Sequence, residues 1–261
     1  MKWGVRRYQN YDGTRTAAGK KRYGSDSSSS GSESKLAGGI GEELAVYAAV
    51  YTAIFGGLAI AAKVSEKRMR KQKEAELEDL YENRQIKSFD KAPKLKKKMP
   101  PEDSAKVTNP EFPDMGTTMN CTFCTTAMVL REKGYDVKAT KLSDGWYSDD
   151  LFKKTFNSQE VSMKDARTRK DVVNKLHVHG DGAYGNLVVT WKLGGAHSIF
   201  WKNENGTTNF YDGQSGKAYR SLADKNALLD QVIISGTKYN RLDNCEPTDY
   251  ALAVVEPAKS K

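Results

Sequence analysis

Cysteine and histidine are both scarce in this chain, with three of each among 261 residues. Cys121 and Cys124 lie close together, whereas Cys245 lies far along the chain. Three cysteines spaced so unevenly do not make the disulfide framework of a small secreted domain, so we expect a reducing compartment or a catalytic thiol. All three histidines follow the first two cysteines. That order argues against a zinc deaminase, in which His-x-Glu comes before Pro-Cys-x-x-Cys.

Net charge is absent from the second part of the chain. Residues 99–261 carry 21 basic and 21 acidic side chains, whereas residues 1–98 carry 21 basic against 12 acidic. The formal charge of +9 therefore lies in the first 98 residues. An excess confined to one end is typical of a partner-binding tail. No nucleic-acid-binding motif accompanies it, so we expect no specific nucleic-acid partner.

Charge is also missing from the 19 residues Leu44–Ala62. As a helix this run would extend over ~28 Å, close to the ~30 Å hydrocarbon core of a bilayer. One interpretation is therefore a transmembrane helix, with the basic residues that follow from Lys63 favouring an anionic or cytoplasmic surface. The other is a buried helix that associates with itself inside an oligomer.

Changes in composition divide the chain into four segments. Residues 1–43 form a basic tail that ends in a flexible Ser/Gly linker at Ser25–Ser34. Residues 44–90 hold the apolar helix and a charged helix that continues it. Residues 91–106 are a Lys/Pro-rich linker. Residues 107–257 are electrically balanced, apolar and long enough to bury a core.

The thiol of Cys121 is the first candidate for chemistry. The apolar run from Ala127 to Leu130, with Gly134 after it, predicts a buried helix over Cys121–Lys133. Cys121 then lies at the helix N-terminus, where unpaired backbone amides favour a thiolate and can stabilise an oxyanion. Cys124, one turn later, is most simply a packed core residue.

His197 and Asp212 are the candidates for a base and its orienting carboxylate. Two glycines lead into an apolar strand that begins at His197, and Thr207–Asp212 predicts the next strand. Asn205-Gly206 between them is a strong hairpin signal. A hairpin would return Asp212 to the side of His197, and Cys121 would complete a set of nucleophile, base and orienter.

The remaining pattern predicts an α+β fold, with helices ahead of the strands that carry His197 and Asp212. Further helices are expected at Leu151–Thr155, Met163–Asn174 and Ala223–Ser235. Further strands are expected at Tyr135–Thr140, Leu176–His179, Asn186–Lys192 and Tyr250–Glu256.

These motifs resemble the papain-fold toxin domains of bacterial polymorphic toxin systems, which belong with papain-like cysteine proteases and protein-glutamine deamidases. The resemblance covers about residues 107–257 and rests on NCxxC at Asn120–Cys124, GGAHSIFW and YDGQSG. It implies a nucleophile helix packed on an antiparallel sheet, with Cys121 as nucleophile, His197 as base and Asp212 as orienter. By the same resemblance Gln214 helps to bind substrate or to position the histidine ring. A papain-type oxyanion Gln is missing between Met115 and Asn120, and Asn120 is its candidate replacement.

A second resemblance concerns the N-terminus. KWGVRRYQNYDGTRTAAGKKRYG, within residues 1–24, resembles a short motif of virion-associated proteins from phages of Gram-positive bacteria. It implies contacts of the basic tail with phage structural proteins. The chain would then reside in a phage virion or a bacterial host cell, with membrane association through Leu44–Ala62.

Together these features predict a phage- or prophage-associated cysteine hydrolase that acts on protein carboxamides without metal or cofactor. It would be a protease or a glutamine deamidase, and as a toxin it would have an immunity protein as partner. Three alternatives stay open: a thioredoxin-like pair at Cys121 and Cys124; a zinc site formed by these cysteines with His177 and His179; and a non-enzymatic virion or membrane-anchored protein that retains the fold.

Overall fold

The computed structural model describes residues 66–142, 145–146 and 148–258. The predictions for the basic tail and for the apolar helix Leu44–Ala62 fall outside these residues. Within them, no helix has both the length and the apolar character needed to cross a bilayer. Residues 76–258 fall in one compact unit, and residues 66–75 are assigned to another.

Six helices are present in the described residues. They are α1 (66–82), α2 (Pro101–Thr108), α3 (Cys121–Glu132), α4 (Ser148–Phe156), α5 (Arg169–His177) and α6 (Leu222–Leu229). Helix α2 crosses the predicted boundary between the linker and the enzyme domain. It begins at Pro101, where a proline without an N–H is tolerated.

Eight strands form two antiparallel sheets in the same residues. They are β1 (Val137–Ala139), β2 (Val161–Ser162), β3 (Tyr184–Thr190), β4 (Ala196–Glu204), β5 (Thr207–Asp212), β6 (Lys217–Tyr219), β7 (Lys238–Arg241) and β8 (Val255–Pro257). The larger sheet has the order β2-β7-β3-β4-β5-β6, and β1 pairs with β8. The hairpin of β4 and β5 is therefore next to the edge strand β6.

Two hydrophobic cores lie on opposite faces of the larger sheet. Phe200 and Tyr211 face each other across β4 and β5 and pack in the core that contains α3. Their neighbours Trp201 and Phe210 pack in the other core, with apolar residues of α5 and α6. Neighbouring residues of a strand point to opposite faces of the sheet. Helix α3 therefore packs on one face of the larger sheet, and α5 and α6 pack on the other.

The α+β prediction and the packing of the Cys121 helix on an antiparallel sheet are confirmed. The predicted strand Leu176–His179 is wrong, because α5 continues to His177. A capping box starts this helix: the Thr168 side chain accepts from the Asp171 amide, and the Asp171 carboxylate accepts from the Thr168 amide. The alternation of apolar and polar residues in KLHVHG therefore comes from the end of α5, which buries only one face.

Candidate active site

Cys121 is the first residue of α3, and its helix has uncapped amides. Asn120 occupies the N-cap position, yet its side chain makes no capping hydrogen bond. The first amides of a helix have no acceptor within the helix, so those of Cys121 and Thr122 stay available for an anion. The Cys121 side chain is partly exposed, whereas Thr122 to Arg131 are all buried. The reactive end of α3 is therefore at the surface.

His197 joins the thiol to the carboxylate of Asp212. Its Nε2 is 3.1 Å from Asp212 Oδ1, and the Cys121 side chain lies close enough for a hydrogen bond that raises the pKa of His197. Because Nε2 is taken by the carboxylate, Nδ1 is the nitrogen left for the thiol. The turn of the hairpin passes through Asn205 and Gly206, both with positive φ. The structure thus brings together three residues separated by up to 91 positions in the sequence.

The electrostatics of the site favour a charged histidine. Burial by itself lowers the pKa of His197, but the charge of Asp212 and the hydrogen bonds to Asp212 and Cys121 outweigh it and raise this pKa well above the usual value. Burial raises the pKa of Asp212, and the charge of His197 with three hydrogen bonds overrides it, so that the pKa falls to about 2. An imidazolium beside a carboxylate is the form that pairs with a thiolate.

Ser215 is a member of the site that the sequence reasoning missed. Its Oγ donates to Asp212 Oδ2 at 2.6 Å, and the backbone amide of Gln214 donates to Oδ1 at 3.0 Å. The carboxylate therefore accepts from three donors, which fixes its orientation toward His197. The sequence signal is Asp-x-x-Ser. In this pattern the backbone amide two residues after the Asp and the hydroxyl three residues after it can both donate hydrogen bonds to the carboxylate.

Gly213 allows this loop to lie against α3. A Cβ added there would be 3.0 Å from Met128 Sδ and 3.3 Å from the Cys124 carbonyl oxygen. A larger residue at this position would therefore require the Met128 side chain or the Cys124 carbonyl to shift by a few tenths of an ångström. The glycine of YDGQSG thus sets the distance between the two halves of the site.

Trp191 covers one face of the His197 ring. Its ring stacks on His197 with centroids 5.9 Å apart and planes 23° from parallel. A face of indole attracts a cation, so this contact adds to the stabilisation of the imidazolium. Trp191 lies beside His197 and also packs against the second core.

A buried cluster of carboxamides holds the start of α3 against the Asp212 loop. Asn120 Oδ1 accepts from Gln214 Nε2 at 3.2 Å, from Asn109 Nδ2 at 3.4 Å and from Cys124 Sγ at 3.4 Å. Asn120 Nδ2 donates to Asn109 Oδ1 at 3.3 Å and to the Thr140 carbonyl at 3.0 Å. Both N–H bonds of this amide are thus used inside the protein. The oxyanion role of Asn120 stays a prediction, and the contacts make Asn120 and Gln214 part of the framework.

A second polar chain ties α3 to the strand that carries His197. Thr125 Oγ1 lies 2.8 Å from Ser198 Oγ, and Ser198 donates to Asn186 Oδ1 at 2.6 Å. Asn186 in turn donates to Asn240 Oδ1 at 3.1 Å. Thr125 is one turn after Cys121, and Ser198 follows His197. These bonds therefore fix the position of Cys121 relative to His197.

The zinc alternative finds no geometric support in the described part of the chain. No cluster of three His, Cys, Asp or Glu residues that could hold a metal ion occurs there. His179 instead packs at a tilt against the rings of Trp201 and Tyr239 and hydrogen-bonds the Tyr239 hydroxyl at 3.2 Å. Burial is the main cause that lowers the pKa of His179, which fits a structural ring.

Comparison with known proteins agrees with this geometry over the central part of the chain. Residues 119–217 match the family model described as Papain fold toxin 1, glutamine deamidase. No curated protein and no solved structure matches the chain. The resemblance to papain-fold toxins is thus confirmed for residues 119–217, whereas nothing supports the phage resemblance of the N-terminus. The matched segment contains Cys121, His197 and Asp212, and similarity to this family implies a hydrolase.

Proposed function

We propose that the chain is a protein-glutamine deamidase that uses Cys121 as nucleophile, His197 as general base and acid, and Asp212 as orienting residue. The observation that carries the proposal is the position of the His197 ring. It lies within hydrogen-bonding reach of Cys121 and of the buried carboxylate of Asp212. The family match over residues 119–217 supports the reaction class.

The first half of the reaction forms a thioester. The Cys121 thiolate attacks the side-chain carbonyl carbon of a substrate glutamine, and the carbonyl oxygen becomes an oxyanion. The unpaired backbone amide of Cys121 is the donor best placed for this charge, since the Asn120 side chain is engaged elsewhere. The His197 imidazolium then gives its proton to the leaving nitrogen, and ammonia departs.

The second half hydrolyses the thioester. Neutral His197 takes a proton from water, and the hydroxide attacks the thioester carbon. The thiolate leaves, and the substrate side chain becomes glutamate. Throughout the cycle Asp212 stays ionised, because its pKa of about 2 is far below neutrality. It holds the ring and stabilises its charged form.

Peptide-bond cleavage would use the same residues and the same steps. The glutamine deamidase description of the matched family favours the side-chain reaction. The two activities give different products: deamidation releases ammonia and leaves the substrate chain intact, whereas proteolysis creates new chain ends.

Alkylation of Cys121 by iodoacetamide tests the geometry in the purified full chain. If the coupling exists, alkylation remains fast in mildly acidic solution, and His197→Ala removes this acidic reactivity. The matched control is His177→Ala, which alters an exposed histidine of α5. Acidic alkylation that is equal in wild type and His197→Ala would remove the basis of the proposal.

The reaction itself is tested with two probes, an N-blocked glutaminyl-glycine dipeptide and β-casein. We expect ammonia release and Gln-to-Glu conversion without cleavage, all lost in Cys121→Ala. New chain ends in casein without ammonia would assign the protein to the proteases instead. A chain inert toward both probes and without His197-dependent alkylation would favour the non-enzymatic alternative.

We also propose that this deamidase acts as a toxin in bacterial cells and travels with a phage or prophage. The toxin description of the matched family and the basic, linker-joined N-terminus support this setting. Expression in a bacterial host should slow growth and produce Gln-to-Glu changes in host proteins, both absent with Cys121→Ala. Normal growth and an unchanged proteome would count against a toxin in that host. A neighbouring gene that restores growth would identify the immunity partner.

A further inference from the structure

Cys124 is a second thiol one helical turn from the nucleophile, and the mechanism does not use it. In an α-helix, residues three apart have Cα atoms ~5 Å from each other, within the range that a disulfide spans. Cys121 is the first residue of α3, where the first turn is least constrained by hydrogen bonds. The Cβ atoms of residues three apart are ~5–6 Å from each other in a regular helix and ~3.5–4.5 Å in a disulfide, so the bond requires the first turn of α3 to tighten.

The two thiols differ in exposure and hydrogen bonding. Cys124 is 1% exposed, and its thiol donates to Asn120 Oδ1 at 3.4 Å. Burial, with the nearby charges of Cys121 and Asp212, raises the pKa of Cys124 well above the usual value. Cys121 is partly exposed and hydrogen-bonds His197. An oxidant from solution therefore meets Cys121 first, and Cys124 is protected from direct oxidation.

We propose that Cys121 and Cys124 form a redox modification site, in which oxidation by a peroxide links them in a disulfide and reversibly blocks the nucleophile. The inference concerns regulation of the site and rests on the proposed function for its effect on activity. The formation of the bond itself does not depend on that function.

The chemistry has two steps. Hydrogen peroxide transfers one oxygen to the Cys121 thiolate, giving a sulfenic acid after protonation, and is itself reduced to water. The Cys124 sulfur then attacks the Cys121 sulfur; the sulfenic hydroxyl leaves with the Cys124 proton as water, and a disulfide remains. A dithiol reductant reverses the bond. Without Cys124, further peroxide would convert Cys121 to the sulfinic acid, which such reductants do not restore.

Cys245 is the matched control within the chain. It is partly buried, and its thiol contacts the Arg241 carbonyl at 3.5 Å. It lies in the loop after β7, well away in sequence from the start of α3. A Cys245→Ser variant should therefore oxidise like the wild type.

The experiment treats the purified full chain with hydrogen peroxide, blocks free thiols under denaturing conditions, and maps the peptides by mass spectrometry. We expect a Cys121–Cys124 linkage with the loss of two hydrogens, complete loss of ammonia release from the glutaminyl dipeptide, and recovery of both after dithiothreitol. Cys245→Ser should give the same result. In Cys124→Ser, Cys121 should gain two or three oxygens and stay inactive after dithiothreitol.

The peptide map separates failure of this inference from failure of the proposed function. A linkage in a chain that never releases ammonia would support the disulfide and reject the deamidase. Direct conversion of Cys121 to the sulfinic acid in the wild type, at the rate seen in Cys124→Ser, would overturn the inference. So would a bond from Cys121 to Cys245. Should Cys124→Ser fail to fold, the map of the wild type alone decides the point.

Discussion

Two polar clusters meet at the start of α3, and they differ in charge. The charged cluster joins Cys121 to His197, Asp212 and Ser215. The neutral cluster joins the carboxamides of Asn120, Asn109 and Gln214. In the charged cluster each contact shifts the pKa of His197 or of Asp212. In the neutral cluster no group titrates, so its contacts only fix positions.

This difference explains how a reactive site is held in a small domain. Charged groups that must change protonation during catalysis cannot also serve as rigid supports. The carboxamides supply that support, because they hydrogen-bond one another and nearby backbone carbonyls inside the protein. Damage to the charged cluster should therefore alter the pH dependence of activity. Damage to the neutral cluster should alter stability and leave the pH dependence in place.

The strongest way to break the charged cluster is His197→Ala. Without the base, proton transfer in both halves of the reaction is lost, and ammonia release from the glutaminyl dipeptide should fall by about 10²–10⁴-fold. Exposed His177→Ala on α5 should leave the rate unchanged. Equal rates for the two variants would mean that His197 takes no part in the reaction.

Asp212→Asn should show that the charged cluster controls the pH dependence of activity. Removal of the carboxylate leaves burial as the main influence on His197, so the pKa of His197 should fall. The alkaline limit of ammonia release should then move to lower pH, and the rate near neutrality should drop by about 10²-fold or more. The measurement is a pH–rate profile of both proteins. An alkaline limit that does not move would show that Asp212 has no influence on the base.

The same interaction contributes to stability with a defined sign. The folded-state pKa of His197 is raised, so its contribution is complete below the unfolded value of ~6.5 and is lost as pH rises through the folded value. Chemical denaturation at a series of pH values should show this loss in the wild type. Asp212→Asn should not show it.

The neutral cluster gives the opposite expectation for Asn120→Ala. This change removes the donor to Asn109 Oδ1 and the acceptor of Gln214 Nε2, at about 1–3 kcal/mol for each group left unsatisfied. We expect a lower free energy of unfolding and a lower rate, with an unchanged alkaline limit of the pH–rate profile. A shifted limit with unchanged stability would place Asn120 in the charged cluster.

The charged cluster was more predictable from sequence than the neutral one. A thiol at a helix start, a His after two glycines and an Asn-Gly turn each carry a local signal, and the hairpin assigned Asp212 correctly to the side of His197. Asn109 carries no such signal. It lies directly after α2, and its partners Asn120 and Gln214 are 11 and 105 residues away. Contacts of that range depend on tertiary packing, which local patterns do not encode.

The fold shows the same division between local and distant information. The helix Cys121–Lys133 was predicted to within a residue of α3, because apolar composition and Gly134 mark it. Strands β6 and β7 were missed. Each has at most four residues and is polar in sequence, and each is held by pairing with a longer strand. The strand predicted at Tyr250–Glu256 is only partly correct, since a 3₁₀ turn at Asp249–Leu252 precedes β8.

The smallest expected effect is that of Ser215→Ala, which tests whether Ser215 lowers the pKa of Asp212 or only packs the loop. Ser215→Ala removes one donor from the carboxylate, so the pKa of Asp212 should rise from about 2 toward its unfolded value of ~3.9. A lowered carboxyl pKa contributes stability that is present above the unfolded value and lost as pH falls through the folded one. The acid-induced loss of stability should therefore be smaller in Ser215→Ala and end at a higher pH, because the folded-state pKa lies closer to the unfolded value. The alkaline limit of activity should move little because Asp212 still faces His197. Acid titration of unfolding, with Ser221→Ala at the N-cap of α6 as a matched loss of a serine–carboxylate contact, measures this. An identical acid limb in wild type and Ser215→Ala would assign Ser215 to packing alone and leave Asp212 held by Gln214 and His197.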